Sequence, residues 1–184
     1  MRKLVVAQFL TLDGVMESPE KWNSEYIHDK EITSDLIDNL SASDSLLFGR
    51  TTYEFFAARW PARTGEMADK FNNLSKQVVS TTLQKAAWNN SAIINTSASE
   101  EIKKLKEQPG KNILVVGSHK LVQTLMRDNL VDEYKLYIYP LTLGTGKRLF
   151  EEGTAGLTLK LINTRVFSSG AIAMVYHPKE ILNN

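Results

Sequence analysis

The sequence contains no cysteine. This excludes disulfides, cysteine nucleophiles and thiolate metal sites, and it suits a reducing cytoplasm. No apolar run approaches the roughly 18 residues that a membrane-spanning helix needs, so no membrane partner is expected. The opening "MRKLVVAQFLTLDG" has an apolar run broken by Gln8, Thr11 and Asp13 and lacks a small-residue cleavage site. It reads as a first strand rather than a signal peptide, and without secretion the Asn-x-Ser acceptors at Asn73, Asn89 and Asn95 carry no meaning. Neither sign of charge prevails: 22 Lys and Arg against 21 Asp and Glu leave a net charge of +1. A chain so balanced gives no global reason to expect nucleic acid. Histidine is scarce, and His28, His119 and His177 fall at unrelated spacings, so no metal site is expected.

What the sequence does contain is a globular composition. Its 184 residues are 42% hydrophobic, enough for one sizeable core, and no linker, internal repeat or low-complexity run divides them. A single domain over residues 1–184 is expected.

Apolar patterning places a buried strand at residues 3–10. A long polar loop follows at 15–28, then a one-faced helix at 29–41 with Ile32, Leu36, Ile37 and Leu40 at helical spacing. A strand at 45–49 runs into a helix that continues to Pro61, and a further helical turn or two follows at 65–74. Short strands are expected at 77–81 and 92–95. Ser97 and Glu100 make a capping-box pattern for a lysine-rich helix ending near Gln108, where Pro109-Gly110 stops it. A strand at 112–117 ends in glycine, and Ser118 opens a helix that Asn129 ends. A long strand spans 131–141. After the glycine loop "LGTGKRLF", residues 159–167 and 171–177 flank "SSG" and read as a terminal hairpin. Strands alternate with helices, then a hairpin closes the chain. That order predicts an α/β fold with a central, mostly parallel sheet flanked by helices and an antiparallel C-terminal edge.

In open α/β sheets, ligands bind beyond the carboxyl ends of the strands. Three strand ends carry suitable groups: Gly49-Arg50-Thr51-Thr52, Ser80-Thr81-Thr82 and Gly117-Ser118-His119. Glycine lets a ligand approach the backbone. A helix N-terminus offers free N–H groups and partial positive charge, arginine a fork that fits phosphate oxygens, and hydroxyls further donors. A surface arginine after a turn, with threonines capping a helix, would read the same locally. The usual nucleotide signatures are missing. No G-x-G-x-x-G follows the first strand, and "GTGKRL" lacks the earlier glycine and the Ser/Thr of a P-loop. No G-x-S-x-G nucleophile elbow occurs.

The motifs "TLDGVM", "LLFGRTTYE", "KQVVSTTL" and "ILVVGSHKLVQTLMRDNLVDEYKLYIYPLTLGTGKRLF" occur in this order. Together they resemble the reductase (C-terminal) domain of the bifunctional riboflavin-biosynthesis deaminase/reductase, and more broadly the dihydrofolate reductase-like proteins, over residues 3 to 177. The resemblance implies a dihydrofolate reductase-like fold, NADPH as cofactor, a small heterocyclic substrate and a homodimer. It sets Gly49, Arg50 and Thr52 near the cofactor phosphates. It sets Ser80, Thr81 and Thr82 toward the 2′-phosphate and adenine, and Gly117 and Ser118 at the pyrophosphate. Ser118 stands where the family carries a second glycine, and Thr145 interrupts a glycine loop. The zinc deaminase half, with its H-x-E and P-C-x-x-C, is absent from this sequence. The implied activity is reduction of a phosphoribosylamino-pyrimidine at its sugar carbon. Reduction of a pterin, and a non-catalytic nucleotide-binding module on the same fold, remain open. Asp13, just past the first strand, and then Glu133 are the expected substrate contacts. The catalytic acid is not identified among Glu25, Asp29, Glu31 and Asp35.

Overall fold

The computed structural model of the chain describes residues 1–26, 29–152 and 156–179. Eight strands form one sheet in the order β4-β3-β2-β5-β1-β6-β8-β7. Their spans are β1 Leu4–Thr11, β2 Ser43–Gly49, β3 Ser75–Val79, β4 Ser91–Ile94, β5 Asn112–Gly117, β6 Glu133–Tyr139, β7 Leu159–Val166 and β8 Ile172–Pro178. The six strands from β4 to β6 in that order are parallel. β8 runs antiparallel to β6, and β7 antiparallel to β8. The β7–β8 turn closes at Gly170, whose φ of 82° suits a residue without a side chain.

Five helices cover the sheet: α1 Lys30–Ser41, α2 Arg50–Ala57, α3 Glu66–Asn73, α4 Ala98–Glu107 and α5 His119–Arg127. α4 and α5 bury Ile102, Leu121, Val122 and Leu125 against Leu4, Val6, Leu47 and Val115 on one face. On the other face α2 and α3 bury Tyr53 and Phe71 against Val5, Leu46 and Phe48. There α1 also sets Ile32 over Tyr137 and Tyr139 of β6. Leu46, Leu47 and Phe48 are all fully buried, because helices cover both faces of β2. Each such side chain contributes about 1.5–3 kcal/mol by leaving water. Among the described residues, no helix is long and apolar enough to cross a membrane.

Local chemistry sets the element ends. Asp29 caps α1, its carboxylate accepting from the N–H groups of Glu31 and Ile32. Ser97 and Ser118 occupy the corresponding positions of α4 and α5, yet neither side chain makes a cap bond, so the expected capping box at Ser97 does not form. α2 stops at Ala57 rather than running to Pro61, and the chain leaves it in turns closed by Trp60 N–H to the Phe56 carbonyl. β6 is shorter than expected at its start. Asp132 is diverted there, accepting from the Leu4 N–H at 2.7 Å and pairing with Lys106 at 2.7 Å.

Candidate active site

The chain leaves β2 through α2 toward β3 on one side, and leaves β5 through α5 toward β6 on the other. β2 and β5 are neighbours, so the two helix N-termini diverge from a shared crevice. Such a switch point is where open α/β sheets take ligands. The junction is tight. A Cβ on Gly49 would lie 2.0 Å from Ser118 Oγ, and one on Gly117 would lie 3.0 Å from Thr52 Oγ1. The Gly117–Ser118 peptide bond is cis. Neither α2 nor α5 has a side-chain cap, which leaves first-turn N–H groups for an outside acceptor.

Arg50 is exposed at the head of α2, and among the described residues it has no ion-pair or hydrogen-bond partner. Thr51 is exposed beside it, while Thr52 is half-buried against Gly117. One strand further out, the buried Ser80 hydroxyl accepts from the N–H groups of Thr82 (3.2 Å) and Leu83 (2.9 Å). It therefore shapes the turn, and Thr81 and Thr82 are the hydroxyls left at the surface. His119 turns away from the crevice. Its Nε2 lies 3.0 Å from Glu151 Oε1 and 3.1 Å from the Arg148 carbonyl. Both neighbours are acceptors, which assigns the proton to Nε2.

Asp13 lies at the same edge, just past β1, but its carboxylate is already engaged. It accepts from Thr11 Oγ1 (2.6 Å) and from the N–H groups of Leu143 (3.2 Å) and Gly144 (2.8 Å), with Arg148 at 3.5 Å. The Thr11 hydroxyl, then the two backbone donors, hold its pKa down to about 2. Asp13 thus ties the glycine loop at 143–148 to the chain after β1. Met16 N–H to the Lys147 carbonyl and Leu149 N–H to the Gly14 carbonyl complete the strap. Gly146 packs so closely that a Cβ would meet Val15 at 2.7 Å.

Glu133 does not join the others. β1 and β6 are parallel, with Val5 opposite Glu133 and Thr11 opposite Tyr139. Glu133 therefore sits at the amino-terminal edge, about 20 Å from the crevice edge at ~3.3 Å per residue. There Lys3 (3.3 Å) and His177 (3.0 Å) pair with its carboxylate. His119 and His177 lie at opposite edges, and His28 lies outside the described residues.

Of the four acids left open by the sequence, the geometry singles out Asp29. Asp35 is bound by Lys135 (2.8 Å) and by the Tyr137 hydroxyl (2.5 Å). Glu31 accepts from the Ser168 N–H, and Glu25 is exposed. Asp29 uses Oδ1 as the helix cap, while Oδ2 is enclosed with no hydrogen-bond partner among the described residues. The neighbouring Ser169 hydroxyl and the α1 N–H groups keep its pKa below the usual carboxylate range. Tyr139 stands close by, its pKa pushed up by burial and then by the Asp29 charge. Trp22, Tyr26 and Phe9 pack edge-on around Tyr139, with ring centroids 5.6, 4.9 and 5.6 Å away. The result is a carboxylate beside an aromatic wall at the carboxyl end of β6. The sequence puts Asp29 at the start of the helix expected at 29–41, which does not say what that end faces.

The family model described as the RibD C-terminal domain matches residues 2–173. The chain is 33% identical over 180 residues to the uncharacterized protein YyaP of Bacillus subtilis (strain 168), covering 96% of this chain and 95% of that one. Its fold is similar to that of a protein from Shewanella sp. PV-4 named for riboflavin biosynthesis (TM-score 0.78, 20% identity, 97% and 99% of the two chains). It is also similar to the deaminase/5-amino-6-(5-phosphoribosylamino)uracil reductase of Thermotoga maritima (TM-score 0.67, 13% identity), covering 97% of this chain and 57% of that one. Dihydrofolate reductase from Enterococcus faecalis, complexed with NADP(H), aligns with a TM-score of 0.66 at 15% identity over 97% of each chain. The fold is thus the dihydrofolate reductase-like α/β fold expected from the sequence, and the chain belongs to the RibD C-terminal domain family.

Proposed function

We propose that the chain is an NADPH-dependent reductase of a small heterocycle, of the kind that reduces 5-amino-6-(5-phosphoribosylamino)uracil. The observation that carries this reading is the crevice between β2 and β5. Two uncapped helix N-termini meet there, Gly49 and Gly117 let their first residues pack closely on each other, and Arg50 is exposed at the rim with no partner among the described residues. These groups fit a dinucleotide. N–H groups of α2 and α5 would hold the pyrophosphate. The Arg50 fork, with Thr81 and Thr82 a strand away, would take the 2′-phosphate that distinguishes NADPH from NADH.

When bound, NADPH supplies the hydride. The chain's own residues orient the acceptor. Asp29, its pKa held below the usual carboxylate range by the Ser169 hydroxyl and the α1 N–H groups, would set a negative charge beside ring N–H donors. Trp22, Tyr26 and Tyr139 provide an apolar flank that excludes water, and the Tyr139 hydroxyl keeps its proton. Asp13 acts one step away by holding the strap at 143–148. A pterin presents similar N–H donors to a carboxylate, so Asp29 also suits a pterin reductase. The same reading puts its proposed site of action in the cytoplasm, which the cysteine-free composition suits.

The test is a calorimetric titration with NADPH and, separately, NADH, followed by turnover with pyrimidine and pterin substrates. Binding selective for NADPH, with turnover of a pyrimidine, is the expected result. Failure of both cofactors to bind at millimolar concentration would overturn the reading. Binding without turnover of any substrate would leave a nucleotide-binding module.

A further inference from the structure

The two serines of the β7–β8 turn meet different carboxylates at the head of α1. Phe167 anchors the foot of the turn, buried and stacked on Tyr137 with ring centroids 6.4 Å apart. Phe167 N–H to the Ala171 carbonyl (2.9 Å) and Gly170 N–H to the Phe167 carbonyl (3.0 Å) close it. From this turn the Ser168 N–H donates to Glu31 Oε2 at 2.9 Å, and Arg165, on the strand leading in, lies 3.7 Å from Glu31 Oε1. The hairpin is thereby docked on the first turn of α1, which Asp29 caps. Asp29 Oδ1 accepts from the Glu31 and Ile32 N–H groups at 2.8 and 3.2 Å, so the helix fixes one oxygen of the carboxylate. Oδ2 is enclosed without a hydrogen-bond partner among the described residues, and the same is true of Ser169 Oγ. Two enclosed oxygens side by side, one with a proton to give, can satisfy each other. The Ser169 hydroxyl also does most to lower the Asp29 pKa, ahead of the helix N–H groups.

We infer that Ser169 is a positioning residue of the site: its hydroxyl donates to Asp29 Oδ2, so helix and hairpin together fix the plane of the carboxylate. The inference rests on the reading of Asp29 as the carboxylate that meets the substrate. A carboxylate held by one oxygen turns easily about its last torsion, which has only broad preferences. Held at both oxygens, it keeps one Oδ2 lone pair aimed in a single direction for a ring N–H. An ionised carboxylate accepts and cannot donate, so this arrangement selects a heterocycle with an N–H at that edge and rejects one with a carbonyl there. The titratable groups beside Asp29 among the described residues are Tyr139 of β6, Tyr26 of the loop before α1 and Glu31 of α1, with Arg165 of β7 behind Glu31. Glu31 also titrates in acid, and Ser168 acts on it through both its N–H and its hydroxyl. The adjacent serines therefore divide the two carboxylates between them.

The first readout is the carboxyl carbon signals of Asp29 and Glu31, followed by NMR against pH in the chain without cofactor. Ser169→Ala should move the Asp29 midpoint upward, because the charged form loses a donor, and should leave Glu31 nearly in place. Ser169→Thr restores a hydroxyl at a position whose φ is not left-handed, and should return the midpoint. Ser168→Ala should move Glu31 and spare Asp29. The second readout is turnover of 5-amino-6-(5-phosphoribosylamino)uracil with NADPH. Ser169→Ala should lower kcat/KM for the pyrimidine by about 10-fold, Ser169→Thr should recover it, and NADPH affinity should not change. An Asp29 midpoint that ignores Ser169→Ala, or a kcat/KM unchanged while the midpoint moves, would overturn the positioning role. A wild type without turnover, whose Asp29 midpoint still answers to Ser169, would instead overturn the reading of Asp29 and with it the place of Ser169 in the site.

Discussion

Asp13 shows how a residue can sit in the expected place and do different work. It follows β1 at the crevice edge, as the sequence indicates, but its carboxylate is spent on Thr11, Leu143 and Gly144. Sequence shows where a strand ends, and not which backbone N–H groups a distant loop brings to it. The folded pKa is about 2 against an ordinary 3.8, so the contribution of Asp13 is present above pH 3.8 and is lost as pH falls toward 2. Asp13→Asn should therefore lose less stability than wild type on acidification from pH 4 to 2, and should exchange its Leu143 and Gly144 amides faster at pH 7. Parallel acid titrations of the two proteins would count against the strap. Arg50 is the converse case: the sequence sets it at a strand end, and among the described residues it has no ion-pair or hydrogen-bond partner. Arg50→Ala should weaken NADPH binding by about 1–3 kcal/mol through loss of a charge-assisted contact, and NADH binding much less. Equal losses by calorimetry would remove the 2′-phosphate from its role.

At the scale of elements, the order of strands and helices was legible because each has its own period, and Gly49 and Gly117 marked the strand ends. The packing of those ends against each other was not legible, because it depends on β5 entering the sheet between β1 and β2. Gly49→Ala must displace the Ser118 hydroxyl, and overpacking of this kind costs about 1–3 kcal/mol. Adding Ser118→Gly should recover part of that cost in a denaturation-based double-mutant cycle, and simple additivity would mean that the two ends relax independently. Lys76 was hidden in the same way. It lies just before the short strand expected at 77–81 but is fully buried, donating to the carbonyls of Asn72, Leu74 and Asn89 under the Trp88 ring. Burial lowers its pKa from 10.5 to about 8. The carbonyl cage works against that shift by favouring the cation. Between pH 8 and 10.5 the unfolded chain holds a proton that the folded chain has released, so this residue's contribution rises with pH across that window. Relative to Lys76→Met, wild type should gain about 1–3 kcal/mol from pH 7 to pH 10. A pH-independent difference between the two would show that the cage holds the charge.

For the whole molecule, the central strand decides what can fold alone. β1 is the first strand made, yet it pairs with β5 and β6, which come from the far half of the chain. No early segment can complete the sheet, and the late β8 covers the far edge of β6. We therefore expect residues 1–184 to unfold as one cooperative unit, and to fold slowly for their size because the pairings are long-range. The three tryptophans provide the check. Trp22 packs in the cluster under α1, whereas Trp60 and Trp88 pack in the cluster under α2 and α3. Urea unfolding followed by fluorescence of a Trp22→Phe protein, and by circular dichroism of wild type, should give coincident curves once corrected for the substitution. NADPH at 100 times its dissociation constant should move both probes together, by about 2.7 kcal/mol. The crevice is built from β2 and β5 in the middle of the sheet, so a ligand held there is linked to every strand on either side. If the two probes separated, or if only one followed the cofactor, the α1 side carrying Asp29 would be a unit apart from the crevice.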